Sequence, residues 1–301
     1  MTQPVRPPRR SEPVTPPAIT RRTPAEIEAI RSAGALAAAI LTDLRAAAAP
    51  GLTTAYLDER AHQAMRAAGA EPLFLGYSQG VARPFPATTC ISTNDEIVHG
   101  IPGERELRPG DLVSVDVGLR LDGWCADTAT TFIVGDVAAA PAQAQALIEE
   151  TRQVLAMAIA LIRPGRRWSE IGAALESRAG SSAFGIVTEY VGHGIGRTLH
   201  EPPKAPAYAT GFSGFDFELE SGMVLAVEPM LTGGRGPGAA GAVGEDGLPS
   251  WRSRVKLCAD GWTVATADGS LACHEEHTVA VTDEGCDVLT RRPVEMAADL
   301  R

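Results

Sequence analysis

Lysine is nearly absent from this chain: Lys204 and Lys256 are the only two in 301 residues, and the formal net charge is −10. Affinity for nucleic-acid backbones rests on clustered Lys and Arg, so a general or sequence-specific DNA binder is not expected. Aromatic residues are scarce as well, at 5%. No apolar run approaches the roughly 18 residues that a membrane-crossing helix needs, and the N-terminus lacks the apolar core of a secretory signal. A cytoplasmic protein with no membrane partner is the expectation. The five cysteines, Cys90, Cys125, Cys258, Cys273 and Cys286, form no CxxC pair. An odd number so spaced argues against a disulfide framework and a zinc ribbon, leaving reduced thiols. The glycine-rich stretch over 232–252 contains no GxGxxG between a strand and a helix and no GxxxxGK[ST]. It reads as a loop rather than a phosphate cradle.

What is present is enough apolar material, 45% of residues, for one large core or two modest ones. Residues 1–22 carry five arginines against Glu12 and are rich in proline, which predicts a disordered tail of polyproline character. Order is expected from Thr23, where Thr23, Pro24 and Glu26 spell a capping box that opens a helix running to Ala49. A second helix is expected over Thr54 to Ala68. The stretch from Ala49 overlays the stretch from Arg163: both carry Pro-Gly stops, and Leu57, Ala61 and Met65 fall on Ile171, Leu175 and Ala179. Two copies of a helix, helix, strands unit are therefore expected in one domain over 23–292, followed by a short tail, 293–301. Strands are predicted over 88–94, in a hairpin over 111–132, and over 186–193, 223–230 and 276–282, all with β-branched residues at period two. The class is α+β.

The hairpin raises the chemical question. Asp116 sits within Val113, Val115 and Val117, and Asp127 follows Ala126 in the returning strand. With an even-numbered loop near Leu121 to Gly123, the two aspartates face the same side, where they repel each other and lose hydration. Three more polar groups stand at or near apolar strands: His193 among glycines, Glu228 in "MVLAVEPM" and Glu276 in "CHEEHTVAVT". One histidine and four carboxylates make an oxygen-rich donor set, and two divalent cations would neutralise the acids. Such donors suit Co²⁺, Mn²⁺, Fe²⁺ or Zn²⁺ with bound water better than a closed structural zinc. Two cations ~3.5 to 4 Å apart serve hydrolysis. The aspartates belong to the first repeat and the other three donors to the second, so the site is expected where the halves meet.

The segments "NDEIVHGIPG", "VDVGLRLDGWCADTATTF", "GHGIGRTLHEPP", "GMVLAVEPM" and "EEHTVAVTDEGCDVLT" resemble, in order and spacing, the type I methionine aminopeptidases over nearly all of 25–292. The resemblance implies the pita-bread fold: two pseudo-symmetric halves around a curved antiparallel sheet. It implies that Asp116 chelates one metal ion, that His193 and Glu228 hold the other, and that Asp127 and Glu276 bridge both. It implies that His99 positions the substrate near the scissile amide, that His200 hydrogen-bonds the scissile carbonyl, and that Glu228 also shuttles a proton. Cys90 and Trp262, with Tyr77 and Phe85 nearby, stand where the family lines its methionine pocket. The implied reaction is removal of the initiator methionine from nascent polypeptides with a small second residue, through attack of a metal-bridging hydroxide on the first peptide bond. Departures from the family pattern are a longer segment at 76–86, Leu199 where an aromatic is common, and the long glycine-rich loop. A monomer is expected, and the basic tail is a candidate for contact with the anionic ribosome.

Overall fold

The computed structural model describes residues 18–78, 83–210, 216–234, 249 and 251–292. Expectations for residues 1–17, for most of the glycine-rich loop and for 293–301 lie outside the described residues. Four α-helices are described, as two pairs: α1 (Pro24–Ala47) with α2 (Thr54–Ala67), and α3 (Ala144–Leu161) with α4 (Trp168–Ser181). The capping box opens α1, with the Thr23 N–H donating to the Glu26 carboxylate at 2.9 Å. The helix stops at Ala47 rather than Ala49 because Pro50 disfavours helical backbone in the residue before it. Order also begins before Thr23. The Arg22 N–H donates to the Gly222 carbonyl at 2.7 Å, its guanidinium pairs with Glu201, and Arg21 pairs with Glu220 at 2.9 Å. The tail boundary drawn at residue 22 is thus too late, since these arginines find acids on the second half of the chain.

The duplication extends to the main chain. Gly51 and Gly165 follow matching prolines and both adopt left-handed φ, +86° and +80°. Their N–H groups donate to Leu107 and Leu219 at 2.8 Å each, and matched bridges join Thr53 to Glu106 and Arg167 to Glu218. Leu57, Ala61 and Met65 on α2, and Ile171, Leu175 and Ala179 on α4, are each at most 1% exposed.

Each half has an antiparallel sheet beneath its helices. In the first, Leu112–Leu121 is central: Trp124–Ile133 pairs along its length, and Cys90–Thr93 and Glu71–Pro72 pair with its other side. In the second, the order is Cys286–Val288, His277–Val281, Val224–Val227, Gly192–Gly194, Glu201–Ala205. Two three-stranded sheets complete the described strands, so the expected curved sheet is divided into four. Strand alternation sends Val113, Val115 and Val117 into a core with Ala33, Ala37, Leu41 and Leu44 of α1. Leu225 and Val227 likewise pack with Leu147, Leu155, Ile171 and Leu175. A third cluster, including Phe85, Cys90, Trp124, Ile195 and Val224, lies between them.

Two predicted strands are each broken in two. Residues 186–193 become Gly185–Ile186 and Gly192–Gly194 in different sheets, and 223–230 becomes Val224–Val227 and Met230–Thr232. Pro229 has no N–H for a ladder, and the break leaves Glu228 at a strand end. A Cβ at Gly51 or Gly165 would meet nothing within 4 Å, so only the backbone conformation opposes it. Gly51→Ala and Gly165→Ala should each cost about 1 kcal/mol in urea unfolding, the penalty of a left-handed alanine. Unchanged stability in both would refute this account of the paired stops.

Candidate metal centre

The hairpin turns through Asp122 and Gly123, whose φ values of +49° and +79° suit a two-residue loop. Its register pairs Asp116 with Ala129 and Gly118 with Asp127, which makes the two aspartates diagonal neighbours on one face. Glycine at 118 makes room on that face for the Phe74 ring, which a Cβ would meet at 2.8 Å, beside Asp127 Oδ1 at 3.3 Å. His193 arrives on Gly192–Gly194, threaded between two strands. A Cβ at Gly192 would lie 2.5 Å from the Ala226 carbonyl oxygen, and one at Gly194 2.2 Å from that of Pro202. Glu228 follows the neighbouring strand, and Glu276 precedes His277–Val281. The halves are joined at this point: the Glu276 N–H donates to the Ala129 carbonyl at 3.0 Å, and the Asp127 N–H to Thr278 Oγ1 at 3.1 Å.

Asp127, His193 and Glu276 each present a donor atom within 4.8 Å of the others, all three residues being buried. Glu228 Oε1 lies 3.5 Å from His193 Nε2. The His193 Nδ1–H donates to the Gly194 carbonyl at 2.9 Å, which leaves Nε2 free as a lone-pair donor toward the acids. Asp116 lines the same cavity, so the five sequence-derived candidates stand together. Asp116 Oδ1, Asp127 Oδ1 and Glu276 Oε1 are buried without a hydrogen-bond partner. Unsatisfied buried carboxylate oxygens are costly, and their supply of hard oxygen plus one imidazole fits divalent cations of the Mn²⁺ to Zn²⁺ series.

The electrostatics agree. Loss of hydration, compounded by neighbouring acids, pushes the Asp116, Glu228 and Glu276 carboxyls well above their ordinary range. Loss of hydration also carries Asp127 up to about 6, partly offset by a hydrogen bond from Asp116. Burial pushes His193 down to about 3. By contrast Glu275, one residue from Glu276 and on the other side of the chain, has its charge met by arginines: Arg152 at 3.0 Å and Arg292 at 3.3 Å.

The remaining candidates line the same cavity, whose volume is about 1180 Å³. His99 has a left-handed φ of +58°, and burial followed by the charge of His200 lowers it to about 4. His200 stands at the rim, its ring 4.3 Å from that of His193 and its Nδ1 2.8 Å from the Tyr77 hydroxyl. Trp262 packs edge-on to Phe85 at 5.3 Å and donates Nε1–H to the Arg83 carbonyl. Cys90 lies on the strand beside Asp116, with its thiol pushed well up by burial. Two residues were not anticipated. Tyr190 packs against His99 at 5.2 Å, in the bend where a continuous strand was expected. His274 is 2% exposed and lines the cavity, and its Nε2 has no hydrogen-bond partner. Its signal was available: position 274 stands two before Glu276, and strand alternation puts both on one face.

The model of metallopeptidase family M24 matches residues 28–283. This chain belongs to family M24. Among its members, methionine aminopeptidase 1 of Mycobacterium tuberculosis is 44% identical over 90% of this chain and 95% of its own length. Methionine aminopeptidase 1 of Bacillus subtilis is 38% identical over 90% and 98%. The crystal structure of methionine aminopeptidase from Thermotoga maritima superposes with a TM-score of 0.79 at 36% identity, covering 91% of this chain and all of that one. Prolidase from Pyrococcus furiosus, with a TM-score of 0.62 at 19% identity, shares the fold. This M24 chain therefore sits among the methionine aminopeptidases, has their pita-bread fold, and uses divalent metal.

The carboxyl shifts fix a sign for stability against pH in chelator. Groups whose folded value exceeds their unfolded value near 4 stabilise the fold while protonated, and that contribution is lost as pH rises through the folded value. Above pH 7 the lowered histidines are neutral in both states and add no slope. Because cations bind the ionised carboxylates, the rise in melting temperature on adding Mn²⁺ to the cation-free protein should be larger at pH 8 than at pH 5. An Mn²⁺-induced rise that is equal or smaller at pH 8 would contradict the burial argument.

Proposed function

We infer that this protein removes the N-terminal methionine of newly made polypeptides whose second residue is small, by hydrolysing the first peptide bond at a two-cation centre. The observation that carries this reading is the convergence on one cavity of five donors from both halves of the chain, Asp127, His193 and Glu276 buried and Asp116 and Glu228 half-buried, in a member of a family whose methionine aminopeptidases align with it nearly end to end.

In this reading Asp116 would hold one ion, His193 and Glu228 would hold the other, and Asp127 and Glu276 would serve both. When bound, the cations supply Lewis acidity and a water acidified toward neutrality. The protein supplies the rest. Glu228 takes a proton from the attacking water and returns it to the leaving amine. His200, with Tyr77 donating to Nδ1, offers Nε2–H to the carbonyl oxygen as charge develops. His99 is held neutral by burial and placed by its strained backbone, which suits a hydrogen-bonding role at the scissile amide. Cys90, Phe85 and Trp262, closed by Tyr77, offer sulfur and ring edges to a thioether and no charge to a polar side chain.

Chelation should abolish hydrolysis of Met-Ala-Ser, and Mn²⁺ or Co²⁺ should restore it. Asp127→Ala should lower kcat/KM by at least roughly 100-fold, because a shared donor is lost. Ala-Pro peptides should not turn over. Turnover of Met-Ala-Ser by a rigorously metal-free preparation, or a preference for Ala-Pro, would defeat the proposal.

A further inference from the structure

His274 belongs to none of the roles so far assigned. It closes the strand Ala272–His274, where its main chain is held on both sides by one hydroxyl: the N–H donates to Thr131 Oγ1 at 3.0 Å, and that hydroxyl donates to the His274 carbonyl at 2.8 Å. Its position is therefore set by the hairpin that carries the two aspartates. Its Nε2 lies 3.8 Å from Glu228 Oε2 and 3.9 Å from Glu276 Oε2. Both separations are too long for a hydrogen bond. They do fit two atoms that share an ion, since donors each ~2.0 to 2.2 Å from one cation lie no more than roughly 4 Å apart. A buried imidazole nitrogen with no hydrogen-bond partner, facing two carboxylates across such gaps, has the placement of a metal ligand.

We propose that His274 is a sixth donor of the metal centre, binding through Nε2 the cation held by His193, Glu228 and Glu276, so that this ion carries two imidazoles. The inference rests on the two-cation reading above. Its chemical consequence is a softer, more nitrogen-rich site on one side of the centre and an all-oxygen site on the side of Asp116, which favours Zn²⁺, Co²⁺ or Fe²⁺ over Mn²⁺ at the former. The two ions would then be exchanged at different rates and for different metals.

Zinc K-edge absorption spectroscopy of the full-length protein loaded with Zn²⁺ counts imidazoles directly, from multiple scattering by the ring. The expected count is two per chain in the native protein and one in His274→Gln and in His193→Gln, with Zn²⁺ affinity by competition titration reduced 10- to 100-fold or more in His274→Gln. Native protein whose imidazole count, averaged per zinc and multiplied by the zinc bound, comes to one per chain would overturn the assignment of His274 while leaving the five-donor centre in place. Native protein that retains no Zn²⁺ would overturn both. Because the native count decides the matter, a variant that fails to fold does not protect the proposal.

Discussion

The arrangement of this protein follows from the cost of placing four carboxylates in one largely buried cavity. Asp116, Asp127, Glu228 and Glu276 stand on or beside strands whose neighbouring residues are largely buried, and several of their oxygens meet no donor. Such a cluster must either hold protons or take up cations. The neighbouring Glu275 illustrates the alternative available to a buried acid, with Arg152, Arg292, Thr130 and Thr131 surrounding its carboxylate. Two adjacent glutamates thus have opposite fates. One is neutralised by the protein's own arginines and pins a helix to a strand, and the other faces the cavity with an oxygen that no donor meets.

The fold supplies this geometry by repetition. Two helix pairs, each stopped by a left-handed glycine, press the same face of two sheets and turn the opposite faces toward each other. A residue in phase with Val113 and Val115 faces α1; one out of phase, such as Asp116, faces the partner half. Glu228 reaches the same space for a different reason, because Pro229 ends its strand. The glycines around His193 are then a packing requirement, since the strand runs too close to its neighbours to carry side chains on both sides of the histidine.

Much of this was legible in the sequence because it depends on local periodicity. The capping box, the Pro-Gly stops, the two-residue hairpin turn and the shared face of Asp116 and Asp127 are all short-range consequences of residue type and spacing. What escaped depends on which sheet a segment joins. Residues 186–193 have uniform strand character but change sheets midway, so Tyr190 in the intervening bend was hidden. His274 was overlooked for another reason: its place two residues before Glu276 puts both on one face, but the acids Glu275 and Glu276 beside it drew the reading to carboxylates. Arg21 and Arg22 resemble the basic tail before them and are distinguished only by Glu220, Glu201 and Gly222, some 200 residues away.

The bonds from Ala129 to Glu276 and from Asp127 to Thr278 have a consequence for the molecule as a machine of two parts. Neither repeat owns a complete donor set, and the seam between them runs through the site itself. Occupancy is therefore linked by mass action to the docked arrangement: an ion that binds only the closed seam strengthens it by RT ln(1 + [M]/Kd), and anything that pries the repeats apart ejects the ion. In the two-cation reading the centre would thereby double as a latch, tying the integrity of the seam to the supply of free metal.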